Sequence, residues 1–82
     1  MFVYILYSDS IEQFYVGIAA DLQDRLIRHN RGRSKSTKRG IPWSLVKTVK
    51  VENRSEAMRL EKKIKGRGIK RWLEEHDKSR SA

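Results

Sequence analysis

The sequence predicts a small α+β domain with its elements in the order β-β-α-β-α-α. Residues 2–7, 14–18 and 43–51 show the alternation and the aromatic or β-branched residues that are typical of strands. Residues 22–30, 55–65 and 69–76 carry apolar side chains at helical spacing. The chain has 82 residues, which is enough for one domain with a modest core. We expect a single domain over residues 1–77 and a disordered basic tail over 78–82.

The first two strands are predicted to pair as a hairpin across the polar turn at residues 8–13. Alternate side chains of a strand share a face, so this pairing would bring Tyr4 and Tyr15 onto one surface. Gly17 shares the face of Tyr15, and a glycine inside a strand often marks a place of close approach. On this stretch alone, packing of both tyrosines is the favoured interpretation, and the floor of a site is the alternative.

The first predicted helix begins after Asp21, whose side chain suits an N-cap, and ends near Gly32. Its core-facing stripe places Arg25 and His29 beside two leucines. Arg25 alone could pack its stem and extend its head into water. His29 alone could be a helix-end histidine that the dipole stabilises. Two such residues in one stripe favour a functional role.

The second predicted helix has Ser55 as its N-cap candidate and is broken by Gly66 and Gly68. Glu61 falls inside its apolar stripe. A carboxylate on a core-facing stripe is costly unless it is paired or bound to a metal. Two interpretations are open for Glu61: a buried ion pair, for instance with Arg25, or a metal ligand.

Residues 33–42 form a polar, basic loop that is longer than a simple connection, and such loops are mobile or functional. Their hydroxyls and cations suit phosphate oxygens, and a solvated loop is the alternative. Alternation over the third strand puts Trp43, Leu45, Lys47, Val49 and Val51 on one side, and we expect this strand at a sheet edge. For both tryptophans, core packing is favoured over stacking on a base.

Composition narrows the classes of function. The net charge is +9, from 19 Lys and Arg against 10 Asp and Glu, and the cations are clustered, which favours a nucleic-acid partner over mere solubility. Without cysteine there are no disulfides or thiolate sites, and two histidines disfavour zinc. No apolar run approaches the about 20 residues that a membrane span needs, so we expect a cytoplasmic protein with no membrane partner. The residues expected to contact nucleic acid are Arg28, Arg31, Arg33, Lys35, Thr37, Lys38, Arg39, Lys62 and Lys65.

The polar residues on the predicted inner faces suit metal-assisted phosphodiester hydrolysis. One carboxylate, Glu61, can hold a Mg²⁺ whose other ligands are waters. Arg25 can stabilise charge on a phosphate. Tyr4, Tyr15 or His29 can take a proton from water if its pKa is lowered.

The same residues, taken in order, resemble the GIY-YIG nuclease domain family over about residues 2–73. The similarity is to the small bacterial members and to the nuclease module of the excision-repair incision protein. The stretches that carry it are Val3-Tyr4-Ile5-Leu6, Tyr15-Val16-Gly17, Asp21-Leu22-Gln23-Asp24-Arg25-Leu26 and Ser55-Glu56-Ala57-Met58-Arg59-Leu60-Glu61. The first motif keeps only its tyrosine, and Lys65-Gly66-Arg67-Gly68 lacks the asparagine that many members carry after the glutamate's helix.

The resemblance implies a three-stranded antiparallel sheet flanked by helices, and one Mg²⁺ or Mn²⁺ held by Glu61. It implies that Tyr4 activates or positions the attacking water, and that Tyr15 lines the site. It implies that Arg25 contacts the scissile phosphate and that Gly17 lets the substrate backbone come close. His29 falls where members carry His or Tyr near the general base.

The function implied is a metal-dependent endonuclease that hydrolyses single- or double-stranded DNA in repair, recombination or DNA processing. Specificity would come from the domain itself, a homodimer or a larger repair assembly. The alternatives are a non-catalytic nucleic-acid-binding module on the same fold, and a small basic protein that docks onto a repair or ribosomal assembly. The complete set of Tyr4, Tyr15, Arg25 and Glu61 favours the enzyme, because binding alone needs no carboxylate beside phosphates.

Overall fold

The fold has the predicted order of elements. In the computed structural model of the protein, which describes residues 1–76, the strands are β1 (Phe2–Ser8), β2 (Gln13–Ala19) and β3 (Trp43–Lys50). The helices are α1 (Leu22–Asn30), α2 (Arg54–Arg67) and α3 (Ile69–His76), with a short 3-10 helix over Lys38–Gly40. The predicted boundary at residue 77 and the predicted tail 78–82 lie outside the described residues.

The sheet is antiparallel and has the strand order β2-β1-β3, so the most apolar strand is central. From Val3 to Leu6 every residue of β1 is at most 2% exposed. A short continuous apolar run of this kind suits a strand that is covered on both faces. β3 lies at an edge, as predicted, and β2 forms the other edge.

Helices cover the sheet on both faces and form two cores. The buried members of the core under α2 and α3 are Val3, Ile5, Val16, Ala57, Ile64 and Trp72. The buried members of the core under α1 are Tyr4, Leu6, Ala19 and Trp43. Tyr4 therefore belongs to the core on the α1 side. Both tryptophans are buried, at 4–5% exposed, which agrees with their predicted packing role.

A β-bulge in β3 changes its predicted alternation. The pairing with β1 passes from Lys47 opposite Ile5 to Leu45 opposite Leu6, which leaves Val46 as the extra residue. Trp43 consequently joins the core under α1, while Val49 packs on the core under α2 and α3. The prediction that one side of β3 carries all five of its alternate residues was wrong, since a bulge reverses the faces on its two sides.

The helix ends agree with the predictions for α1 and α3 but not for α2. Asp21 caps α1 by accepting from the amide of Asp24 at 3.0 Å. For α2 the N-cap is Asn53 rather than Ser55; its side chain accepts from the amide of Glu56 at 2.9 Å. Gly66 lies inside α2, and the helix ends only at Gly68, whose φ of 96° suits glycine.

No helix over residues 1–76 is long and apolar enough to cross a membrane.

The basic loop between α1 and β3 is anchored rather than merely solvated. The indole of Trp43 donates to the carbonyl of Thr37 at 2.6 Å, and its ring packs directly against Gly40. The backbone of Trp43 in turn makes two hydrogen bonds with the Asn30 side chain, at 2.6 and 3.1 Å. These contacts fix the interior of the loop, while Lys35, Lys38 and Arg39 stay exposed.

Candidate active site

Tyr4 and Tyr15 lie on the same face of the sheet, as the hairpin predicted. In the β1–β2 register Tyr4 is opposite Gly17, and Leu6 is opposite Tyr15. Their ring centroids are 6.3 Å apart. Tyr4 is 1% exposed, whereas Tyr15 is only partly buried. Tyr15 is therefore the more solvent-accessible of the two phenols.

Gly17 provides the space in which the Tyr4 phenol lies. A Cβ on Gly17 would stand 2.5 Å from the hydroxyl oxygen of Tyr4 and 3.0 Å from Cε2 of Tyr15. Real Cβ atoms do not approach other atoms so closely, so any side chain here would displace the Tyr4 ring. The close approach seen at this glycine is made by the ring of Tyr4, and close approach of a substrate backbone stays a prediction.

His29 reaches the sheet from the last turn of α1. Its Nε2 is 2.8 Å from the hydroxyl of Tyr4, and the imidazole is 2% exposed. The ring of Tyr15 meets the imidazole edge-on, with centroids 5.1 Å apart. The imidazole is therefore held in the core by a specific hydrogen bond and is not a solvated helix-end residue.

Burial shifts the pKa values of Tyr4 and His29 in opposite directions. Burial, followed by the neighbouring Tyr15, raises the pKa of the Tyr4 phenol well above its ordinary value. Burial, followed by the charge of Arg25, lowers the pKa of His29. The phenol is thus protonated and the imidazole neutral at pH 7, which makes His29 the proton acceptor of the pair. The lowered phenol pKa that a tyrosine base would need is not what this environment produces.

Arg25 and Glu61 both act on the same phenol from different helices. The charge of Arg25 lowers the pKa of Tyr4 and the charge of Glu61 raises it. Arg25 is exposed on α1, one turn before His29. The ion partner of Glu61 is Lys65 at 3.6 Å, so the ion pair with Arg25, which was the alternative for Glu61, is not formed.

Glu61 is suited to a hard cation. Its side chain is 25% exposed, and the 3.6 Å separation from Lys65 is longer than a hydrogen bond, so its oxygens can take other ligands. Mg²⁺ is often bound by one or two carboxylates and keeps several waters. Over residues 1–76 no group of three His, Cys, Asp or Glu side chains forms a ready cage. A metal here would therefore have Glu61 as its protein ligand and waters at other positions.

The predicted nucleic-acid contacts divide into three groups. Arg28 is exposed but pairs with Asp24 at 2.9 Å, and Lys65 pairs with Glu61. Six further side chains of the set are also exposed, those of Arg31, Arg33, Lys35, Lys38, Arg39 and Lys62. Thr37 does not fit the prediction, because it is 1% exposed and its hydroxyl lies 2.7 Å from Nδ1 of His29. Its hydroxyl is engaged by His29 inside the core and is not presented at the surface.

Sequence reasoning missed the inward contacts of Thr37 and Asn30, which are made with His29 and Trp43 respectively. Thr37 was assigned to the surface, and Asn30 was not considered, although its side chain holds the backbone of Trp43. Both contacts span a loop whose path depends on Trp43, so no local spacing indicates them. The usable signal was the loop composition: a threonine among cations, shortly before a tryptophan.

Comparison with known proteins places the chain in a family. The family model described as the GIY-YIG catalytic domain matches residues 1–75. The chain is 39% identical over 61 residues to the UPF0213 protein YsiG of Lactococcus lactis subsp. lactis (strain IL1403), covering 73% of this chain and 58% of that protein. It is 36% identical over 61 residues to a UPF0213 protein of Lactococcus lactis subsp. cremoris (strain SK11), covering 73% and 61%.

The chain thus spans about three fifths of the length of these curated relatives. No solved structure gives a significant match. The family model covers nearly all of the described residues, including Tyr4, Tyr15 and Glu61. On that coverage, the chain belongs to the GIY-YIG catalytic domain family, which is a family of nucleases.

Proposed function

We propose that this protein is a divalent-metal-dependent endonuclease that hydrolyses phosphodiester bonds in DNA. The observation that carries the proposal is the buried hydrogen bond between the Tyr4 hydroxyl and Nε2 of His29. The charges of Arg25 and Glu61 both influence the pKa of that phenol, which supports the proposal. A packing role alone would not need a proton acceptor, a cation and a carboxylate around one phenol.

The proton path follows from the two pKa directions. When water attacks phosphorus, its proton passes to the Tyr4 oxygen while the Tyr4 proton passes to Nε2 of His29. The water oxygen forms the new bond to phosphorus, the bond to the leaving oxygen breaks, and that oxygen takes a proton from solvent. His29 then releases its proton to solvent. Tyr4 acts as a relay and His29 as the base, which fits a phenol of raised pKa.

Negative charge that develops on the phosphate would be stabilised by the exposed Arg25 and by the metal that Glu61 would hold. Arg25 can donate to the non-bridging phosphate oxygens as their charge grows. Glu61 would hold Mg²⁺ or Mn²⁺, which supplies Lewis-acid stabilisation when it is bound. The exposed cations of the basic loop and Lys62 would hold the strand by its phosphates.

The test is cleavage of end-labelled single- and double-stranded DNA with Mg²⁺, Mn²⁺ or EDTA. Glu61→Gln should reduce the rate by at least about a hundredfold, since metal stabilisation of charge is worth several kcal/mol. Glu74→Gln makes the same change on an exposed carboxylate of α3 and should cleave like the parent. EDTA should abolish cleavage.

The opposite result would favour a binding module. If the parent cuts no substrate with any divalent metal, yet still binds DNA in a salt-sensitive way, the catalytic proposal fails. Cleavage that survives both EDTA and Glu61→Gln would overturn the role of the metal.

A further inference from the structure

The imidazole of His29 has a second buried partner, which the sequence placed on the surface. Oγ1 of Thr37 lies 2.7 Å from Nδ1 of His29, on the side of the ring opposite Tyr4. Thr37 is 1% exposed and His29 is 2% exposed. Buried polar groups are almost always hydrogen-bonded, and here the partner of the Thr37 hydroxyl is the ring that we propose as the base.

The position of Thr37 does not depend on His29. The carbonyl of Thr37 accepts from the Trp43 indole at 2.6 Å and from the amide of Gly40 at 3.1 Å. Its amide donates to the carbonyl of Ser34 at 3.2 Å. The backbone is therefore held on both sides, and the hydroxyl is presented to the imidazole by the loop rather than drawn in by it.

The arrangement of protons follows from counting donors and acceptors. The Thr37 hydroxyl can donate to the carbonyl of Ser34, at 3.5 Å, which leaves its oxygen to accept from Nδ1–H of His29. Nε2 then carries a lone pair towards the hydroxyl of Tyr4. In the reverse arrangement Nε2–H points at Tyr4, and the phenol proton then has no protein partner among the side-chain hydrogen bonds of residues 1–76.

We propose that Thr37 is a positioning residue for hydrolysis: its hydroxyl accepts from Nδ1–H of His29 and so holds the tautomer whose Nε2 takes the Tyr4 proton. This inference rests on the proposed function, because the tautomer matters only if that proton moves. The proposal also assigns different roles to the exposed and the buried residues of the basic loop. Lys35, Lys38 and Arg39 face solvent for the phosphates, and Thr37 faces inward to the base.

The test uses two variants of the full chain. Thr37→Val keeps the shape of the side chain and removes the hydroxyl, whereas Thr37→Ser keeps the hydroxyl. The first readout is the ¹⁵N NMR spectrum of the His29 ring, without metal or DNA. The parent and Thr37→Ser should show a protonated Nδ1 and an unprotonated Nε2. Thr37→Val should show a mixture or the reverse tautomer.

The second readout is kinetic. Thr37→Val should lower kcat by about 10- to 100-fold, the range seen when a partner that fixes a histidine tautomer is removed. KM should stay within about twofold of the parent value, because Thr37 does not touch the substrate. Thr37→Ser should restore most of kcat. Thermal melts test whether each variant is folded. If Thr37→Val does not fold, the tautomer of the parent and the tautomer and kcat of Thr37→Ser test the proposal instead.

The failures are distinguishable. A parent that cleaves DNA but carries Nε2–H would overturn the role of Thr37 and leave the nuclease standing. The same conclusion would follow if Thr37→Val kept the tautomer and the kcat of the parent. It would also follow if Thr37→Ser showed the tautomer and the kcat of Thr37→Val. A parent that shows Nδ1–H but cleaves nothing would overturn the proposed function, and with it any part for Thr37 in a reaction.

Discussion

Burial sets the proton chemistry of Tyr4 and His29 in opposite directions. The same loss of water that raises the pKa of the phenol lowers that of the imidazole, because each neutral form is favoured in a core. The hydrogen bond of 2.8 Å between them then runs from a donor that keeps its proton to an acceptor that lacks one. Neither direction is visible in residue spacing, since both depend on packing.

The acid limb of activity should report His29. Its pKa is lowered from 6.5 by burial and then by Arg25, and only the neutral ring can accept the Tyr4 proton. We expect kcat/KM to fall as pH drops through a midpoint below 6.5. His76→Gln, on the far helix α3, should leave this limb unchanged. A midpoint above 6.5 would exclude a buried His29 as the base.

At the residue scale, what the sequence predicts depends on whether the signal is local. Tyr4, Tyr15, Arg25, His29 and Glu61 are candidates because the pattern of each element sends these polar side chains towards the packed side, and that signal is local. The predicted phosphate contact of Thr37 was wrong because its burial is not set by local sequence. Its burial depends on Trp43 and the path of the whole loop.

At the scale of elements, the position of the phenol depends on how two strands align. Gly17 stands opposite Tyr4 across the β1–β2 pair, so the register of the hairpin creates the space that the ring fills. The predicted alternation was sufficient to place both residues on one face. Alternation did not show that the Tyr4 ring fills the space above Gly17, because that depends on the side-chain packing.

A methyl group at Gly17 should therefore cost activity and stability together. Gly17→Ala is expected to lower kcat by about a hundredfold through displacement of the Tyr4 ring. It should also lower the free energy of unfolding by about 1–3 kcal/mol through overpacking. Kinetics and denaturant melts measure both quantities.

Gly66→Ala is the matched control for that prediction. Gly66 lies in α2, and an added Cβ there meets nothing within 4 Å. Alanine should stabilise the helix by about 0.5–1 kcal/mol without changing the rate. Equal effects of the two substitutions would contradict the steric account of Gly17.

Element bounds were predicted where the signal is local. α1 and α3 match the predicted ranges, and the strands differ by one or two residues. α2 begins earlier because Asn53 caps it, and it continues through Gly66 because nothing opposes the helix there. The bulge in β3 depends on its pairing with β1, so alternation within β3 could not show it.

At the scale of the whole molecule, the two faces of the sheet carry cores of different character. The core under α2 and α3 is apolar, while the core under α1 contains Tyr4 next to His29. The fold class was predictable because the periodicity of each segment is clear. The net charge of +9 adds a surface suited to a polyanion.

The basic loop should contribute measurably to the salt dependence of DNA binding. Replacing Lys35 and Lys38 with alanine should reduce the slope of log K against log salt by about two, one for each lost phosphate contact. Anisotropy titrations on a Glu61→Gln background avoid cleavage. Replacing the exposed Arg54 and Arg59 of α2 removes the same charge, and should change the slope less. Equal changes would show that total charge, rather than this loop, sets the binding.

Single-turnover cleavage of end-labelled DNA by Tyr4→Phe tests the central claim most directly. This variant keeps the buried ring and removes only the hydroxyl that bonds His29. Tyr7→Phe makes the same change on a ring that packs against Phe14, with centroids 4.8 Å apart, and serves as the control. We expect Tyr4→Phe to be slower by about 10²–10⁴-fold with DNA binding unchanged, and Tyr7→Phe to match the parent. Cleavage by Tyr4→Phe at the parent rate would contradict the proton path through Tyr4 and His29.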